Sequence, residues 1–180
     1  LEGLDQSLIG GGLSREQLRA LILGPQMLLR DYPSLDDQLQ PNGFDLTLHS
    51  VFRHEGRGTV GVDNSQRVLP DLVDCPFDDD GFVTLQQGPY HIVYNEIVRL
   101  PAWLMGLGRP RSSLARSGVA IHTGVWDAGY EGRSTSLMQV INPHGFRVAR
   151  DARVLQLVFI TLSASSERGY DGIYQRENTR

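Results

Sequence analysis

Apolar residues recur at helical spacing in one early segment and alternate with polar ones through much of the remaining chain. Leu18, Leu21 and Ile22 fall on one face of a helix. Ser14 followed by Gln17 forms a capping-box pattern at its start, and Gly24-Pro25 ends it. Beyond that point the period drops to two. Phe44, Leu46 and Leu48 alternate with Asp45, Thr47 and His49, and Tyr90, Ile92 and Tyr94 alternate with His91, Val93 and Asn95. The run 154–160 predicts a buried strand. Turn clusters separate these segments: Pro41-Asn42-Gly43, Asp78-Asp79-Asp80-Gly81, Gln87-Gly88-Pro89 and Asn142-Pro143-His144-Gly145. The pattern predicts a mainly β domain of barrel or jelly-roll type with an N-terminal helix. No repeat or linker interrupts it, so residues 1–180 are expected to form one domain. The Gly-rich residues 1–12 are expected to be frayed or extraneous.

Composition narrows the function. A chain of 180 residues is long enough for one real core. A net charge of −4 gives no general attraction to nucleic acid or an anionic membrane. No apolar run approaches the roughly 18 residues of a membrane span, and no charged-then-apolar leader is present, so the cytoplasm is expected. All 17 basic residues are arginines, so any cationic phosphate contact falls to a planar guanidinium. Cys75 is the only cysteine, which excludes an intramolecular disulfide and a cysteine-based zinc site. The five histidines show no close ligand spacing.

The densest polar chemistry lies in Arg109-Pro110-Arg111-Ser112-Ser113-Leu114-Ala115-Arg116. Arginines and hydroxyls this close together suit an anion with several oxygens, although an arginine-bearing surface helix fits the spacing equally well. Downstream, residues 118–132 flank a polar hairpin tip, with Asp127 just before a Gly-containing turn. An Asp beside a pocket orients and deprotonates water; alone, it is an ordinary turn-capping residue.

Four motifs then carry a resemblance. Pro110-Arg111-Ser112-Ser113-Leu114-Ala115 resembles the phosphate-binding motif of trimeric dUTPases and dCTP deaminases. The segment from Gly124 to Gly132 is similar to their hairpin-and-aspartate motif, Gln40 to Leu46 to their first motif, and Arg153 to Phe159 to their late strand. The N-terminal helix favours the deaminase-like branch. The resemblance implies a β-clip fold, a distorted jelly-roll, assembled as a homotrimer with active sites at subunit interfaces. It assigns Arg111, Ser112, Ser113 and Arg116 to the triphosphate and Asp127 to the sugar and the catalytic water. Tyr130 goes under the sugar, and Thr123 with the backbone of 122–124 to the pyrimidine edge. Gln156 and Tyr170 are further nucleotide contacts, and Asp45 reaches Mg²⁺ through water.

The resemblance also sets a discriminating position. Deaminases of the family are expected to shuttle protons with a glutamate on the strand after the hairpin. Aligning on Asn142 puts Gln139 there; counting from Gly132 puts Leu137 there instead. Neither carries a carboxylate, and Gln cannot trade a proton near neutral pH. Gln139 is therefore expected to read the base or sit at the core edge. The expected activity is hydrolysis of dUTP to dUMP and pyrophosphate; the alternatives are a dCTP deaminase, monofunctional or bifunctional and forming dUTP or dUMP, or a non-catalytic nucleotide-binding paralogue. The tail over 168–180 is expected to close over the site, yet Ile173 and Glu177 replace an expected Lys and Gln, which should weaken its grip on phosphates.

Overall fold

The computed structural model describes residues 11–179. Helix α1 (Arg15–Leu23) begins with the reciprocal Ser14–Gln17 capping box and ends where the Gly24 N–H donates to the Ala20 carbonyl. Leu18 and Ile22 are its buried face, as the periodicity predicts. The chain then runs through β1 (Leu29–Arg30), the short α2 (Leu35–Gln38), β2 (Leu39–Gln40) and β3 (Gly43–Glu55). It continues with β4 (Asp71–Asp74), β5 (Phe82–Leu85), β6 (Gly88–Arg99), β7 (Leu104–Pro110), α3 (Ser112–Arg116) and β8 (Val119–His122). The last strands are β9 (Val125–Trp126), β10 (Glu131–Val140), β11 (Phe146–Ala149) and β12 (Arg153–Thr161).

The fold is mainly β. A curled antiparallel sheet runs β8-β10-β6-β3-β12-β7-β9; β1 edges β6, β2 and β4 edge β3, and β11 pairs with β5 separately. Strand β3 belongs to both halves: residues 44–47 pair with β12, and residues 48–52 pair with β6. The register shifts on both sides of this crossover. Phe44, Leu46 and Leu48 meet Leu155, Leu157, Phe159, Ile92 and Tyr94 in one core.

The two-residue alternation misjudges one strand. Asp45 and Thr47, the polar members of its alternation, are both buried. At the crossover β3 is covered on both faces, so polar residues there need internal partners. Residues 56–70, between β3 and β4, leave Val60, Val62, Val68 and Leu69 exposed. Among the described residues no helix is long and apolar enough to cross a membrane.

Candidate active site

Strand β7 delivers Arg111 to the N-cap of α3. Leu114 is buried and anchors this helix, which leaves Ser112 and Ser113 exposed in its first turn and Arg116 exposed in its last. The Arg111 guanidinium donates to the buried Asp45 carboxylate on β3. Gln156 lies directly across from Asp45 in the β3–β12 register. Arg153, the first residue of the late-strand motif and given no role there, stands 3.7 Å from the same Asp45 oxygen. Burial pushes the Asp45 carboxyl above its usual range, against the pull of Arg111 and Arg153. Asp45, Arg111 and Gln156 thus converge at one end of the sheet.

Asp127 lies at the other end. The β7–β9 register pairs Gly106 with Trp126 and Leu107 with Val125. Continuing it sets Asp127 level with Met105, six residues along β7 from Arg111, or roughly 20 Å at strand rise. The hairpin carrying Asp127 sits close because β7 has glycines beneath it. A Cβ at Gly108 would lie 2.8 Å from Leu155 Cδ2, 2.9 Å from Trp126 Cζ3 and 3.1 Å from the Thr123 methyl. Trp126 is buried, and its indole N–H donates to Ser134 Oγ at 2.9 Å.

Asp127 is exposed on a cleft of about 530 Å³ lined also by Tyr130, Thr135, Tyr170, Tyr174 and Glu177. His54, His91, Leu69 and Leu72 line it too. The C-terminal tail packs against the hairpin of its own chain. The Tyr170 N–H donates to the Ala128 carbonyl at 2.8 Å and the Arg176 N–H to the Glu131 carbonyl at 2.7 Å. Gln175, which sequence reasoning missed, accepts from the Glu131 N–H and donates to the Gly129 carbonyl. The rings of Tyr130 and Tyr170 meet edge to face at 5.7 Å. Glu177 is partly buried and accepts from the Tyr130 hydroxyl at 2.9 Å. Burial pushes both groups up from their usual range.

One chain therefore brings together Asp45, Arg111 and Gln156, and separately Asp127, Tyr130 and Tyr170. It does not join the two sets, and Thr123 and Gln139 lie outside the cleft lining. Gln139 is exposed on β10 between Pro89 and Ala120. Among the described residues no group of three or more His, Cys, Asp or Glu side chains is placed to hold a metal ion. Asp45 offers a single carboxylate with one oxygen engaged by arginines. That donor set suits a water-mediated contact to an ion arriving with phosphates; it does not suit a resident ion in a protein cage.

Glu96 is the polar residue at this end that no motif marked. It is fully buried on β6. Its lone carboxylate between Tyr94 and Ile97-Val98 was the available signal, since an acid in an apolar run needs several donors.

Residues 12–162 match the family model described as dCTP deaminase-like. A Methanosarcina barkeri protein named probable deoxyuridine 5′-triphosphate nucleotidohydrolase is 48% identical, over 93% of this chain and 98% of its own length. An Archaeoglobus fulgidus protein of the same name is 49% identical, over 92% and 96% respectively. Among solved structures, the 2′-deoxycytidine 5′-triphosphate deaminase of Agrobacterium tumefaciens superposes with a TM-score of 0.65 at 26% identity. That match covers 85% of this chain but spans 49% of the deaminase's length.

Proposed function

The chain belongs to the dCTP deaminase-like family, and we propose that within it this protein hydrolyses dUTP to dUMP and pyrophosphate. The observation that carries the choice is the make-up of β10. From Gly132 to Val140 it offers no carboxylate, and its outward positions near the end are Leu137 and Gln139. Attack of water at a pyrimidine ring needs a group that moves protons, typically worth about 10²–10⁴-fold in rate. Attack at phosphorus depends chiefly on positioning and charge neutralisation. Arg111, Ser112, Ser113 and Arg116 are the groups for that task, with Gln156 beside them. Asp127 orients the water and takes its proton as the α-phosphorus is attacked. Tyr130 and Tyr170 flank the sugar, Thr123 and Gln139, outside the cleft of their own chain, are assigned to the base, and Asp45 would meet the metal through water. A divalent ion such as Mg²⁺, entering with the triphosphate, would supply neutralisation of its charge.

The active enzyme in this proposal is a cytoplasmic homotrimer acting on free deoxynucleoside triphosphates, with no nucleic-acid or membrane partner. The separation of Asp127 from Arg111 supports it, because both serve one site only if each comes from a different subunit. The exposed Val60, Val62 and Val68 also support it, being apolar surface of the kind that association covers. The tail, held across the hairpin by Gln175 and Tyr170, acts as the cover of the cleft.

The test offers dUTP and dCTP with Mg²⁺ to the purified protein while pyrophosphate and ammonia are followed. Pyrophosphate from dUTP without ammonia from dCTP is expected. Ammonia from dCTP would make the chain a deaminase, and binding without turnover would make it a non-catalytic relative.

A further inference from the structure

The buried Glu96 lies behind the phosphate end of the site, and its hydrogen bonds run toward Arg111. Its Oε1 accepts from Gln38 Nε2 at 2.7 Å and from Thr47 Oγ1 at 2.6 Å; its Oε2 accepts from the Thr47 N–H at 2.9 Å. Thr47 needs that partner. The β3–β12 register slips opposite it, between Arg153 and Leu155, so the ladder that would otherwise take its N–H is interrupted. The same Gln38 amide donates to the Asp45 carbonyl at 2.8 Å, and Ser34 N–H in turn donates to Gln38 Oε1 at 2.8 Å. Glu96 therefore grips β3 on both sides of Leu46, through Thr47 directly and through Gln38 at Asp45. The Asp45 side chain holds the Arg111 guanidinium.

We infer that Glu96 is a positioning residue for the phosphate-binding arginine, acting through Gln38, Thr47 and Asp45. The inference rests on Arg111 being a phosphate ligand, as proposed above. A carboxylate is required at this position because all three neighbouring groups donate to it. A Gln there presents its own N–H to one of those donors and leaves at least one buried donor unmatched. The strain falls on residues 45–47 of β3, opposite the extra residue of β12, and Asp45 no longer fixes the guanidinium. The hairpin bearing Asp127 takes none of these hydrogen bonds; it is held by β7 and by Ser134 of β10.

Calorimetric binding of two probes tests this: a dUTP analogue with an α,β-imido bridge, and deoxyuridine, which has no phosphate. For Glu96→Gln the imido analogue is expected to bind about tenfold more weakly, with deoxyuridine affinity unchanged. Thr47→Val, which removes one donor to Glu96 and the acceptor of the Asn95 amide, is expected to shift the same way by a smaller factor, and Thr47→Ser, which keeps the hydroxyl, to bind like wild type. Equal losses for both probes would assign Glu96 a merely structural role and overturn the inference, as would undiminished binding of the analogue. Should Glu96→Gln fail to fold, the two Thr47 variants decide by the same comparison. Wild-type protein that does not bind the imido analogue would instead sink the reading of the site itself.

Discussion

Asp127 stands exposed at the cleft rim with no ion-pair partner among the described residues. Replacing its carboxylate by an amide keeps the shape and removes the base. Asp127→Asn is expected to lower kcat on dUTP by about 10²–10⁴-fold while the imido analogue still binds; steady-state kinetics paired with calorimetry check it, and an active variant removes the residue from the mechanism. Glu96 has a measurable consequence of its own. Burial pushes its carboxyl up to about 7, against donors that pull it down. A raised acid contributes stability that is fully present below its unfolded value and is lost as pH rises through its folded value. Urea unfolding should therefore show stability falling between about pH 4.5 and 7.5, by on the order of 3 kcal/mol. In Glu96→Gln that slope should flatten; an unchanged slope would place its origin in another group. The motif singled out Asp127 but not Glu96, whose meaning comes from Thr47 and Gln38, which lie 49 and 58 positions away.

At the scale of elements, α1 was readable in full, since a capping box and a Gly-Pro stop are local signals. Strands β3, β6 and β12 were readable as strands but not as neighbours. Alternation predicts one wet face on β3, and the crossover between sheet halves buries both, so Asp45 and Thr47 could not be placed from sequence alone. The hairpin bearing Asp127 depends on a close approach that no local pattern announces. Gly108 meets the fully buried Leu155 and the Trp126 ring, which Ser134 holds in place. Gly108→Ala should therefore destabilise the protein by about 1–3 kcal/mol through overpacking. At Gly124, where an added Cβ meets nothing within 4 Å, the same change should stay within roughly 0.5 kcal/mol. Urea midpoints of the two variants check the contrast; equal midpoints would contradict the packing explanation.

For the whole molecule, the resemblance implied sites at subunit interfaces, and the register of one chain keeps Asp127 and Arg111 apart. Spacing along a chain says nothing of which sheet edge a motif reaches, and the β7–β9 register is what sets Asp127 and Arg111 at opposite ends. Catalysis by the proposed route is accordingly a property of the assembly. Subunits carrying Asp127→Asn and subunits carrying Arg111→Ala, each inactive alone, can be co-expressed with different tags and purified as mixed trimers. A site using Asp127 of one subunit and Arg111 of the next is intact once in every mixed trimer. Pyrophosphate release from dUTP should then recover to about a third of the wild-type rate. Mixed trimers as inactive as either parent would contradict a site shared between subunits.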